Sequence, residues 1–410
     1  MAVYDKWHRT EQREGGKASR VRSAAYGTGK RWQVRWRDPA GAQQKRNFAT
    51  QADAVSYDAT VRTQIDSGRY VSPKAGRVTF REYAETWRLA QTHDLPTAER
   101  VERTLRLHAY PVLGDQAIQV LAARPSILQA WIRGLPGEPS SARQYVKDVS
   151  AVFTAALSDG LIGRNPLQDK AVRRPKVTTA EAQPWTAEQV EVMAAALPGR
   201  FEALAWLVAG TGMRQGEAMA SALPDIDFLR RNVRIDCQVR QTSGGLMFAP
   251  LKNDKPHDVP VGSAVLDRLA EHVREYPPRP VELPWKTPDG KMVTRELLFT
   301  MPDGRPLNRA RAGEIWRRAA KVAGLPSGHR NGMHVLRHTA ASAWLAEGLS
   351  VATVASFLGD SRATVLATYA HFMPGDDARA RNVMDRFLSG TQTALTAVSC
   401  APDVPPGVAR

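Results

Sequence analysis

His334-Val335-Leu336-Arg337-His338-Thr339 is followed, after a short helical stretch, by Leu358-Gly359-Asp360-Ser361-Arg362 and then Thr368-Tyr369-Ala370-His371. With Thr211-Gly212-Met213-Arg214-Gln215-Gly216-Glu217 far upstream, these strings supply two arginines, a histidine and a late tyrosine. Two guanidinium forks that converge on one phosphodiester hold its non-bridging oxygens bidentately. They also neutralise the charge that grows as a fifth oxygen attacks. Neither fork loses its proton near neutral pH. A phenol, with a reference pKa of about 10, becomes a useful nucleophile once a cationic cluster or a base makes its oxygen more anionic. Tyrosine at such a site implies a covalent phosphotyrosine intermediate.

Local spacing adds detail. His334 and Arg337 lie three residues apart, on one face at a helix start. Gly210 and Gly212 break the chain just before Arg214 and leave it at the start of a new helix, where Glu217, three residues on, can fix its rotamer. His334, neutral to cationic near pH 7, can accept the phenolic proton or donate to a phosphate oxygen. For His338 the simpler reading is taken, local packing or hydrogen bonding.

Together the strings resemble the tyrosine recombinase (phage integrase) family, and the resemblance runs from about residue 26 to 390. It implies that Arg214, Lys252, His334, Arg337 and Tyr369 are catalytic. Tyr369 attacks, a 3′-phosphotyrosine bond preserves the phosphodiester energy, and a partner strand's 5′ hydroxyl reverses the step. Lys252, on a turn between two predicted strands, matches the family lysine that protonates the departing 5′ oxygen; Lys255 is the alternative on the same turn. No metal, ATP or other cofactor is implied, and the sequence has neither a Gly-x-x-x-x-Gly-Lys-Ser/Thr loop nor a compact carboxylate cluster. One position departs: where the family has His or Trp as a phosphate donor, this chain has Asp360, whose ionised carboxylate repels phosphate. Either Asp360 turns away as a helix N-cap, or it is protonated in the complex, or His371 replaces the missing donor. The first is preferred, because Asp is a favoured cap at a loop-to-helix junction.

Bulk properties agree with a polyanionic partner. The 410 residues, 43% hydrophobic and 24% charged, fit a soluble globular class of several domains. A net charge of +16 and a pI near 10.1 point to nucleic acid rather than a membrane. Residues 1–77 carry 16 Lys and Arg against 7 Asp and Glu, so more than half of the excess sits there. With only Cys237 and Cys400, no disulfide framework or cysteine metal site is available, which fits a reducing cytoplasm and, with DNA as partner, the nucleoid. The opening residues are charged from Asp5 onward, and the most apolar helix, over 201–209, is short and contains Glu202. Secretion and membrane insertion are therefore not expected.

The organisation predicted is multidomain α+β. Residues 1–25 are polar and basic without periodicity and read as a mobile arm. Strands over 30–37 and 43–48, a turn at 38–41 and a helix over 51–67 stopped by Gly68 form a small β-sheet-plus-helix unit. It places Arg31, Arg35, Arg37, Lys45 and Arg46 on or beside one sheet that can sit in a DNA groove; the alternative is a solvated face over a core of Trp32 and Trp36. After a linker at 71–77, a capping box at 79–82 opens a helix to about 90. Helices over 97–109, 124–133 and 140–158 complete an all-α bundle. The last domain begins near Pro184 with helices over 188–197 and 200–209, then strands over 232–240, 246–250 and 258–261. A Pro/Gly-rich loop over 277–308 holds one strand at 297–300. Helices over 309–323, 345–358 (broken at Gly348) and 362–370 follow, and 391–410 read as a disordered tail.

The resemblance assigns roles to these parts: an arm and arm-type DNA-binding domain (1–75), a helical core-binding domain (76–172) and a mainly α catalytic domain with a small sheet (180–390). It implies a site-specific integrase acting as a homotetramer on double-stranded core-type and arm-type attachment sites. Such an enzyme integrates and excises a phage or other mobile element, with an excisionase or a host DNA-bending protein as further partners. Two other classes share the residues. One is a DNA-binding protein of integrase descent with impaired catalysis, which Asp360 makes conceivable. The other is a type IB topoisomerase-like enzyme, which needs no arm domain.

Overall fold

The computed structural model describes residues 2–12, 18–38, 41–66, 70, 77–177, 183–252, 254–326, 331–373, 381 and 384–388. The expected turn at 38–41, the stop at Gly68, the linker at 71–77 and the tail at 391–410 fall wholly or partly outside them. The class is α+β, divided into two units, Met1–Thr179 and Ala180–Arg410.

The first unit opens with structure where a mobile arm was expected. Strand β1 (Ala2–Asp5) pairs with a later strand, and β2 (His8–Gln12) and β3 (Ala18–Arg22) form a hairpin. Charge pairing replaces hydrophobic periodicity here. Asp5 accepts bidentately from Arg31 (2.9 and 3.2 Å) and also from Arg20, and Arg31 above all holds its carboxyl well below the usual carboxylate range. Strand β4 (Trp32–Arg37) is central, antiparallel to both β1 and β5 (Gln43–Phe48). Val34 and Trp36 of β4 are buried with Ala54 and Val61 of α1 (Gln51–Asp66), as period-2 alternation requires.

Helix α2 (Phe80–Leu89) begins with the anticipated capping box between Thr79 and Glu82, an arrangement in which the cap alone contributes about 1 kcal/mol. Helix α3 (Leu95–Thr104) starts two residues earlier than expected, because Pro96 suits a first helical turn. It passes through a wide π turn at Leu105–Ala109 into α4 (Tyr110–Leu113). Pro111 explains the widening, since it has no N–H for the carbonyl four residues back and its ring crowds that carbonyl. Helix α5 (Ile118–Ala123), too short to show a period, was not anticipated. Helices α6 (Pro125–Arg133) and α7 (Pro139–Ser158) close a core built on Phe80, Leu105, Leu113, Ile118, Leu128 and Phe153.

In the second unit, α8 (Ala187–Ala196) is capped by Thr186 and Gln189, and α9 (Gly199–Thr211) runs on through Gly210, which packs against Val265 instead of breaking the helix. The break comes at Gly212, before the single turn α10 (Gln215–Ala218). The one strand expected over 232–240 is two, interrupted at Asp236. With β6 (Ile226–Asp227), β7 (Asn232–Ile235) joins a sheet, while β8 (Cys237–Thr242) pairs with β9 (Gly245–Pro250). Strand β10 (His257–Pro260) completes the sheet in the order β10-β7-β6, and α11 (Ser263–Glu275) follows. The stretch read as a loop with a strand at 297–300 is instead a hairpin of β11 (Arg279–Pro284) and β12 (Met292–Leu297), with Val281 and Leu297 buried. Its prolines, Pro280 and Pro284, hide an ordinary strand from a reading based on breakers. Helices α12 (Arg309–Val322), α13 (His334–Ala346), α14 (Val351–Leu358) and α15 (Arg362–Tyr369) end the described core, with the expected break near Gly348.

Candidate active site

Arg214 is the residue immediately before α10, held from both ends by one carboxylate. Its backbone N–H donates to Glu217 Oε2 (2.7 Å) and its Nη1 to Glu217 Oε1 (2.9 Å). Glu217 is 2% exposed, so this pair fixes the arginine's rotamer as the i to i+3 spacing suggested. The second guanidinium comes from α13. Arg337, also 2% exposed, donates to the carbonyls of Gly212 (2.8 Å) and Leu358 (2.9 Å). Both acceptors lie at helix ends where the chain turns through a left-handed glycine, Gly212 at φ +64 and Gly359 at φ +60. A Cβ on Gly212 would lie 2.7 Å from Leu358, and one on Gly359 2.7 Å from the His257 ring. The left-handed φ favours glycine at both turns, and at Gly212 the buried Leu358 side chain leaves little room for a Cβ.

Asp360 is not the helix N-cap. Ser361 takes that role, its side chain accepting from Thr364 N–H. The Asp360 carboxylate instead joins the two arginines: Arg214 Nη2 donates to Oδ1 and Arg337 Nη2 to Oδ2. Two cations side by side, Arg337 buried and Arg214 half-buried, favour an anion between them, and guanidinium forks accept carboxylate or phosphate in the same geometry. The expectation failed because a cap is a local preference, whereas the buried Arg337 guanidinium without a carboxylate costs far more than a missing cap.

A cleft of about 430 Å³ opens beside this ion cluster, lined by Arg214, Lys252, Lys255, His257, Asp360 and Ser361 among others. Lys252 and Lys255 are both exposed on the turn between β9 and β10, so the geometry places the two together at the cleft. Asn253 lies outside the described residues.

Two imidazoles and the phenol lie close enough to Arg337 to feel its charge. Tyr369 is 3% exposed in a small core with Ala341, Leu345 and Val365, and burial pushes its hydroxyl up to about 12. The contact to its Oη is made by His338, whose Nδ1 lies 2.8 Å away. The ring of His334 stands edge-on to that of His338, with centroids 4.7 Å apart. Desolvation, followed by His338, Arg337 and Arg214, depresses His334 to about 4. The residue keeps an exposed edge, and its imidazole is neutral at pH 7. His338 is depressed by burial and by Arg337. His371 is exposed on a 3-10 turn at Ala370–Phe372, and its ring packs on Phe372, 4.0 Å between centroids.

The five basic residues expected on the N-terminal sheet divide by strand parity. Arg35, Arg37 and Lys45 are exposed on the face away from α1, and Arg35 pairs directly with Lys45. Arg46 falls on the opposite face, its guanidinium 4.7 Å from the Tyr57 ring centroid, and Arg31 is tied to Asp5.

Residues 185–374, which hold all of this second-unit cluster, match the phage integrase family. That stretch is a phage integrase family domain. Its class of enzyme is the tyrosine-type site-specific recombinase. The integrase is 25% identical over 386 residues, 90% of this chain and 95% of the relative, to a protein described as the prophage phiRv2 integrase of Mycobacterium tuberculosis. It is 26% identical over 245 residues to a XerC-like tyrosine recombinase of Caldanaerobacter subterraneus subsp. tengcongensis, a match spanning 56% of this chain and 61% of that one. Its fold is similar to that of a transposon Tn1549 integrase fragment solved in complex with circular-intermediate DNA, with a TM-score of 0.63 and 21% identity over 75% of this chain and 99% of the fragment.

Within the integrase, the second unit thus brings together Arg214, Glu217, His334, Arg337, Asp360 and Tyr369, with Lys252 at the adjoining cleft. The residue that sequence reasoning passed over is His338. A signal was available: it lies one residue past Arg337 on the same helix, and a histidine beside a cationic cluster has an acceptor to offer.

Proposed function

We propose that this integrase cuts and rejoins double-stranded DNA at attachment sites through a 3′-phosphotyrosine intermediate, integrating and excising a mobile element. The observation that carries this reading is the convergence of Arg214 and Arg337 on one carboxylate, a seat shaped and charged for a single oxyanion. On DNA the scissile phosphate takes that seat, Tyr369 attacks it, and Lys252 protonates the departing 5′ oxygen. The sheet-plus-helix unit within residues 1–75 binds arm-type sites through Arg35, Arg37 and Lys45, and the helical bundle of 76–172 binds core-type sites. Exchange between two duplexes breaks four strands with one tyrosine per chain, so four copies act together. An excisionase or a host DNA-bending protein sets the direction.

The test starts from a core site recovered by selecting random duplexes retained by the full chain. On a nicked suicide version, the wild type is expected to form a covalent adduct and to join strands between two sites. Tyr369→Phe should form none while keeping nearly the same DNA affinity. The resident Asp360 carboxylate favours one rival, a chain that binds but does not cut, and absence of adduct from the wild type would establish it. Relaxation without joining would favour a topoisomerase.

A further inference from the structure

We infer that His338 is the base that takes the phenolic proton from Tyr369, an inference that rests on the recombinase reading above. Its Nδ1 is at hydrogen-bond distance from the reacting oxygen (2.8 Å), with ring centroids 5.5 Å apart. The pair is not an accident of two loose side chains. His338 rides on α13 and Tyr369 on α15, and Ala341 and Leu345 of α13 share a buried cluster with Val365 and Tyr369 of α15. His334, the other imidazole of α13, contacts the His338 ring rather than being the group placed on the phenol.

The surrounding charges suit this role. Burial and Arg337 both disfavour a proton on His338, leaving an imidazole lone pair free at neutral pH. Burial also keeps the proton on Tyr369, although Arg337 and Arg214 favour the phenolate and Asp360 opposes it. The phenol is therefore protonated when DNA arrives and needs an acceptor as it attacks. As the Oη–P bond forms and the P–O5′ bond breaks, the Oη proton passes to His338 Nδ1 and a lysine of the β9–β10 turn protonates the 5′ oxygen. In rejoining, the 5′ hydroxyl returns its proton to that lysine as it attacks, and the His338 imidazolium returns its proton to the departing Oη.

The experiment uses the full chain on two suicide core sites, one with the ordinary 5′-bridging oxygen and one with a 5′-bridging sulfur, whose thiolate leaves without a proton. His338→Ala and His338→Asn should each slow cleavage about 10²- to 10³-fold on both substrates, the size of a lost general base. Lys252→Ala should recover on the sulfur substrate alone. Asparagine can accept the phenol's hydrogen bond but cannot take its proton. Wild-type cleavage by His338→Asn would thus reduce His338 to a holding role and overturn the inference. Faster cleavage by His338→Ala would make the contact a latch and overturn it as well. If the wild type forms no adduct with either substrate, the recombinase reading falls and takes this one with it.

Discussion

Arg337 and Arg35 are both arginines of a strongly basic chain, and they live under opposite rules. Arg337, 2% exposed, has three protein acceptors, two carbonyls and the Asp360 carboxylate. Arg35 lies exposed on an open sheet face, with Gln33 and the Tyr4 ring as its neighbours. A buried cation must have its donors satisfied or the fold loses several kcal/mol, so its geometry is fixed and its partners are informative. An exposed cation is satisfied by water, and its position says only which surface is electropositive. The same residue type thus marks a chemical site in one place and a diffuse field in the other.

The largest effect that could break this contrast is at Arg337. Arg337→Ala should lower adduct formation by at least about 10²-fold, the cost of one lost oxyanion donor. It should also destabilise the second unit by about 3–5 kcal/mol, since Asp360 and two buried carbonyls lose a donor. Chemical denaturation and the suicide-substrate assay on one sample measure both; near-normal values would place Arg337 with the surface arginines.

Asp360→Asn sharpens the comparison from the anion's side. If the carboxylate occupies the phosphate seat, its removal should raise affinity for core-site DNA roughly tenfold, the scale of one charge-assisted hydrogen bond. Millimolar inorganic phosphate should then raise the melting temperature of the variant more than that of the wild type. An equal rise in both would show that Asp360 does not compete for the seat.

The smallest effect belongs to the sheet. Arg35→Ala with Lys45→Ala should leave stability unchanged within error and flatten the salt dependence of long-site binding by about 0.9 in slope for each phosphate that is no longer neutralised. Arg31→Ala is the control, because it strips Asp5 of its bidentate partner and should destabilise the N-terminal strands. An unchanged slope in the double variant would leave the open face a solvated one.

Taken residue by residue, the sequence was most legible where the deciding interaction is local. The capping boxes of Thr79 with Glu82 and Thr186 with Gln189, the grip of Glu217 on Arg214, and the alternation that buries Val34 and Trp36 all act within a few positions. Rules of period and capping reach that far and no further. The pairing of β1 with β4 was illegible because its strand is held by Asp5, Arg20 and Arg31, not by an apolar stripe. Asp360 meets Arg214 across 146 positions and Arg337 across 23, and His338 meets Tyr369 across 31. Two loops and the helices α13, α14 and α15 set the last two distances, while strands β6 to β12 and helices α10 to α14 intervene in the first. The sequence by itself determined that the chain holds a phosphate-directed set of arginines and a tyrosine. Only the packing of α13 against α14 and α15 decided which anion sits between the arginines and which imidazole touches the phenol, because burial charges every unpaired polar group its full desolvation cost and long-range contacts form to avoid it.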